Sequence, residues 1–133
     1  YAAAIARLAP GGVVHSQPCP LFVPLVEEGW SAGEVPLRVA ERYLEPLRGV
    51  RTLLLGCTHY PLLAGVLAKV LPEARIVDSA TSVAAETARL LGGPRRAEPP
   101  YVRYFVTDSP ERFLRLGRLF LGHDVADVEL IDV

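Results

Sequence analysis

Two cysteines and three histidines are the side chains of this sequence best suited to move protons or bind metals. One of each stands close together, in the run Gly56-Cys57-Thr58-His59-Tyr60-Pro61. A thiol near an imidazole suits acid/base work, because the thiolate is the reactive form of cysteine and histidine titrates near neutrality. Thr58 between them can donate or accept a hydrogen bond. Metal binding is not expected, since two ligands without a CxxC pair fall short of a zinc signature, and no cofactor is implied. Packing is the competing explanation for Cys57, because cysteine is among the most commonly buried residue types. Spacing alone leaves function and packing open.

The elements around this run decide where it sits. Residues 50–55 are an apolar stretch too short for a helix, and Gly49 and Gly56 bracket it as a buried strand. Beyond Pro61, a helical stripe of Leu62, Leu63, Val66, Leu67, Val70 and Leu71 runs up to Pro72. Cys57 is therefore expected on a strand–turn–helix junction, at the carboxyl end of the strand, where α/β proteins place reactive groups. The first N–H groups of a following helix hold small carboxylates and favour a thiolate.

The same reading extends along the chain. Residues 1–8 have helical composition, and Val13 and Val14 suit a short strand. Residues 19–26 read as extended or loop chain, because Pro18, Pro20 and Pro24 bias their predecessors away from helix, and no further helix is expected until Pro36. From Pro36, the spacing of Leu37, Ala40, Leu44 and Leu47 predicts a helix ending near Gly49. Residues 75–78 then suit a strand, residues 82–91 a helix stopped by Gly92 and Gly93, and residues 94–100, with Arg95 and Arg96, a polar connector. A strand over 101–107, a helix opened by Ser109-Pro110 with Phe113, Leu116 and Phe120 on one face, and a strand within 125–131 complete the series. Alternating strands and helices predict an α/β fold with a parallel sheet flanked by helices. Trp30 reads as a packing anchor and Asp78 as a cap on the turn before a helix.

Composition narrows the function classes. The chain has 133 residues, half of them hydrophobic, with 14 basic against 15 acidic residues and a formal net charge of -1. That balance is typical of a folded soluble unit and leaves no positive excess for nucleic acid or an anionic membrane. The apolar runs are far shorter than the roughly 20 residues that span a bilayer. Two cysteines fit free thiols of a cytoplasmic protein rather than a disulfide framework. The absence of Met and the start at Tyr1 suggest a piece of a longer or processed product.

The run Leu54-Leu55-Gly56-Cys57-Thr58-His59-Tyr60-Pro61-Leu62 closely resembles the second catalytic-cysteine motif of glutamate racemases, cofactor-independent enzymes of peptidoglycan synthesis. Cys19-Pro20-Leu21-Phe22-Val23-Pro24-Leu25-Val26-Glu27-Glu28-Gly29 is similar to another stretch typical of that family, and Ile76-Val77-Asp78-Ser79 to its following strand. The resemblance covers residues 19–79 and, more loosely, continues to Gly122. It implies a two-domain, pseudo-symmetric fold of which this chain is the C-terminal portion. Residues 1–79 would form a C-terminal-type domain with a truncated front, and residues 80–133 would complete an N-terminal-type domain.

Inverting a stereocentre without a cofactor needs a base on each face of the α-carbon. In glutamate racemases both bases are cysteines, one from each domain, and Cys57 matches the second. Thr58 and His59 match substrate-contacting positions, and His59 with Glu27 matches groups that assist proton transfer, although the adjacent Glu28 leaves the register of that acid open. Cys19 matches a structural position. The first catalytic cysteine, followed by Asn-Thr in the family, and the substrate-binding Asp-Ser-Gly stretch have no counterpart here. The resemblance thus implies a parent isomerase making D-glutamate for the cell wall, and an isolated chain that is inactive without its other half or an oligomeric partner. An aspartate or hydantoin racemase of the same superfamily, and a non-catalytic interaction module, are the alternatives.

Overall fold

The computed structural model describes residues 1–93 and 101–132. The connector expected over residues 94–100 lies outside the described residues. Tyr1–Thr87 and Ala88–Val133 form two compact units, each described by itself below.

The first unit runs through α1 (Ala2–Leu8), α2 (Phe22–Glu27), α3 (Glu34–Leu44), a 3₁₀ turn (Glu45–Leu47), β1 (Thr52–Leu55), a second 3₁₀ turn (Tyr60–Leu63), α4 (Ala64–Val70), β2 (Arg75–Asp78) and most of α5 (Ser79–Leu90). β1 and β2 pair in parallel, with Thr52 opposite Arg75 and Leu55 opposite Asp78. Parallel neighbours need a crossover connection, and α4 provides it. Leu53 and Leu55 of β1 are buried, as are Leu63, Val66 and Leu67 after the turn, while α3 adds Ala40 and Leu44. α3 packs on α4, and α2 packs on the 3₁₀ turn Tyr60–Leu63. Each large apolar side chain fully buried in this layer contributes about 1.5–3 kcal/mol relative to exposure.

Several expectations need correction. Residues 22–27 are helical, not extended. Pro24 is the third residue of α2, within the first turn, where backbone N–H groups have no intrahelical acceptor and proline removes no bond. α3 likewise begins at Glu34, ahead of Pro36. Val13 and Val14 belong to no strand, and residues 12–19 carry no regular secondary structure. The helix after Pro61 opens with a 3₁₀ turn before becoming α-helical at Ala64. α5 starts at Ser79, three residues early, and Asp78 Oδ1 accepts the Thr81 N–H at 3.1 Å, the capping role expected for this acid.

The second unit repeats the strand–helix–strand plan with β3 (Tyr104–Val106), α6 (Pro110–Leu121) and β4 (Val128–Leu130). β3 and β4 are parallel and shorter than the stretches expected. Ser109 caps α6 through its Oγ, which accepts the Arg112 N–H at 3.2 Å, and Gly122 ends it in the left-handed region at φ 72°. Phe113 of α6 meets the Tyr104 ring with centroids 5.4 Å apart. Among the described residues of this unit none is buried. Among the described residues, no helix is long and apolar enough to cross a membrane.

Candidate active site

Leu55 anchors the end of β1 in the core, and the chain then turns through Gly56 so that Cys57 stands half-buried at the carboxyl end of the strand. Cys57 Sγ lies 4.0 Å from Nδ1 of His59, which is also 3.4 Å from Thr58 Oγ1. On the opposite side of the imidazole ring, Nε2 is 3.3 Å from Glu27 Oε1. A thiol, an imidazole and a carboxylate therefore stand in a row, built from two segments 30 residues apart in the chain. The His59 and Glu27 side chains are only 22% and 25% exposed, so water screens their contact weakly. Glu27, rather than Glu28, meets His59; Glu28 is exposed.

Glu27 reaches this position because it is the last residue of α2 and the helix end is fixed. The Gly29 N–H donates to Val26 O at 2.9 Å and the Trp30 N–H to Leu25 O at 2.7 Å, with Gly29 at φ 79°. This double closure is the Schellman arrangement, and glycine adopts its left-handed residue without steric cost. Trp30 follows and is 55% exposed, contrary to the packing role expected of it, while its backbone is held by the helix end.

Aromatic contacts hold α2 against the Cys57 turn. The buried Phe22 ring meets Tyr43 and Tyr60 edge-on, at centroid distances of 5.4 and 5.2 Å. Such pairs add about 0.5–1.5 kcal/mol each beyond their burial. The Tyr60 hydroxyl donates to Cys19 O at 3.1 Å, while the Tyr60 N–H donates to Cys57 O at 3.3 Å. Burial, reinforced by the neighbouring Cys19 and Cys57 thiols, pushes the Tyr60 phenol above its ordinary pKa, so it remains a donor. Phe22 and Tyr60 are the positioning residues that sequence reasoning missed, although both stand inside the two runs it singled out.

Cys19 is 5% exposed, with Sγ 3.5 Å from Gln17 O, and burial pushes its thiol up to about 11. It is a neutral core thiol at physiological pH. His15 and His123 are both exposed and stand outside the row. Among the described residues, no group of three histidine, cysteine or acidic side chains could hold a metal ion. A cavity of about 900 Å³ adjoins the site; of Glu27, Cys57, Thr58 and His59, Cys57 alone lines it.

No family model matches the sequence. The glutamate racemase of Syntrophus aciditrophicus is 46% identical over 141 residues, covering 100% of this chain and 52% of the relative. That of Geobacter metallireducens is 46% identical over 135 residues, covering 96% of the chain and 50% of the relative. The solved glutamate racemase of Francisella tularensis, in complex with D-glutamate, superposes with a TM-score of 0.84 at 31% identity, covering 99% of this chain and 52% of that one.

The chain is a relative of the glutamate racemases. It spans about half the length of the racemases it matches. The Thermus thermophilus glutamate racemase, solved with beta-chloro-D-alanine, gives a TM-score of 0.80 at 34% identity over 99% of this chain. The α/β arrangement of helices around parallel strands is thus that of glutamate racemases.

Proposed function

We propose that this chain is the C-terminal half of a cofactor-independent glutamate racemase, in which Cys57 is the acid/base for one face of the substrate α-carbon. The Cys57 thiolate takes the α-proton from one enantiomer, and in the reverse direction the thiol returns a proton to that face. The opposite face is served by a second cysteine outside this chain, so each inversion removes one proton and delivers another. His59, its Nε2–H directed at Glu27, presents Nδ1 towards the sulfur and eases proton movement there. Thr58 binds substrate beside it. The enzyme supplies D-glutamate for peptidoglycan, and residues 80–133 complete the N-terminal-type domain.

The observation that carries this reading is the Glu27–His59–Cys57 row, with contacts of 3.3 and 4.0 Å, in a chain matched throughout to glutamate racemases. The domain assignment draws support from the second unit, where Phe105 and Leu130 are exposed and no described residue is buried. The test is complementation. The part of the Thermus thermophilus enzyme that does not align with this chain is produced separately and mixed with it. Racemisation of glutamate is expected from the mixture and not from the chain alone, and Cys57→Ser in this chain is expected to remove roughly 10²–10⁴-fold of it. Turnover of glutamate by the purified chain alone would overturn the two-base reading, and turnover of aspartate instead of glutamate by the mixture would reassign the substrate.

A further inference from the structure

Two side chains compete for one atom of His59. Glu27 Oε1 lies 3.3 Å from Nε2, and a carboxylate only accepts, so Nε2 carries the ring proton and Nδ1 is left with a single lone pair. Cys57 Sγ is 4.0 Å from Nδ1 and Thr58 Oγ1 is 3.4 Å from it. A thiol is the weaker donor of the two and here also the more distant one. The Thr58 hydroxyl therefore holds the lone pair that the Cys57 thiol must reach to hand its proton to the ring. Thr58 is exposed, whereas Cys57 and His59 are half-buried, so the hydroxyl is the member of this group that a ligand can reach most easily.

Carboxylate oxygens are acceptors only, so a hydroxyl that binds a substrate carboxylate must donate to it and give up Nδ1. We propose that Thr58 holds His59 away from Cys57 until the substrate carboxylate takes the Thr58 hydroxyl, so that binding itself releases the base that activates the thiol. Once Nδ1 is released, the Cys57 S–H bond breaks, the proton forms an N–H bond at Nδ1, and the sulfur keeps the electron pair. The imidazolium then lies between the thiolate and the Glu27 carboxylate, two anions that both favour it. The thiolate so formed is the one that takes the substrate α-proton. Thr58 is thus a positioning residue for the imidazole as well as a substrate contact. Between turnovers the thiol keeps its proton and is protected from electrophiles, because the thiolate is the nucleophilic form.

Release by substrate rests on the racemase reading above, whereas the hold of Thr58 on His59 does not, and the test reads the two separately. In the full 133-residue chain, alkylation of Cys57 by iodoacetamide is followed against pH by mass spectrometry of the peptide that carries it. Thr58→Val keeps the side-chain shape and removes the hydroxyl, so the midpoint is expected to fall by about one pH unit, with roughly tenfold faster alkylation below it. Thr58→Ser is expected to keep the unmodified midpoint, and Thr58→Ala repeats the shift should the valine variant not fold. The other charged or titratable groups in this setting are Glu27 on α2, Tyr1, His15 and Arg51 beside the cavity, and Cys19 and Tyr60, whose burial keeps them protonated through neutral pH. They are common to every variant and drop out of the comparison. An unchanged or higher midpoint in Thr58→Val overturns the proposal. In the complemented enzyme, in the direction in which Cys57 takes the proton, Thr58→Val is expected to lower the acid limb of kcat/KM, which reports the free site. The acid limb of kcat, which reports the bound site, is expected to stay where it is. Equal movement of both limbs shows that substrate does not release His59 and overturns the proposal. A lowered alkylation midpoint with no racemisation by any mixture keeps the hold of Thr58 on His59 and removes the racemase reading.

Discussion

Two strand–helix–strand units in this chain share a plan and differ in what covers them. In the first, α3 packs on α4 and α2 on the 3₁₀ turn Tyr60–Leu63, and Phe22, Leu63 and Leu67 are almost completely buried. In the second, β3, α6 and β4 have the clearer local signals, with a Ser109 cap, a proline at the first helical position and a left-handed Gly122, yet none of the described residues is buried. Local rules are thus enough to specify topology, while stability requires a second layer. The first unit has a covering helical layer and holds the Glu27–His59–Cys57 row; the second has no buried residue among those described.

The largest effect that can break this comparison is loss of a buried ring. Phe22→Ala is expected to cost about 3–5 kcal/mol in urea unfolding, because it removes a core side chain and both edge-on ring contacts. Phe113→Ala in the second unit is expected to cost much less, under about 1.5 kcal/mol, since its ring is only half-buried. Equal costs would erase the contrast between the units.

Capping effects come next. Ser109→Ala is expected to destabilise by about 1 kcal/mol, visible as faster amide exchange in α6 and not in α4. Gly29→Ala forces a side chain into the left-handed region at φ 79°, for about 1–2 kcal/mol, and loosens Glu27 from His59. In the complemented enzyme it should therefore lower turnover without touching any reacting group, and turnover unchanged by Gly29→Ala would show that the α2 end does not set the site.

The smallest effect is a pH dependence that singles out the first unit. The Cys19 thiol is raised from 9.0 to about 11 by burial, so its contribution to stability is full below pH 9 and is lost as pH rises towards 11. The unfolded chain binds fewer protons than the folded one in that window, which fixes the sign. Cys19→Ala should flatten the decline in denaturant midpoint across it.

Much of this was legible in sequence because the signals were local. The residues 75–78 strand, the Ser109-Pro110 helix start and the strand–turn–helix setting of Cys57 all follow from apolar periodicity bounded by Gly, Pro or a capping side chain. The errors arose where a rule depends on position within an element or on a partner. Pro24 looks like a helix breaker and Pro36 like a helix start, whereas each occupies the first turn of its helix, where no donor is required. Val13 and Val14 have strand sequence, but a strand forms only against a neighbour. The candidate site was legible as residues and not as geometry: nothing in the sequence says that Gly29 and the Phe22 ring deliver Glu27 to His59.

The central claim is that Cys57 serves one face of the α-carbon while a base outside this chain serves the other. It is tested most directly by the complemented enzyme in deuterium oxide, comparing unmodified chain with Cys57→Ser for inversion and for deuterium uptake at the α-carbon of each enantiomer. The account predicts that the variant loses inversion in both directions, by roughly 10²–10⁴-fold, yet still exchanges the α-proton of the one enantiomer that faces the remaining base. Inversion at an undiminished rate, or exchange lost equally from both enantiomers, would contradict it.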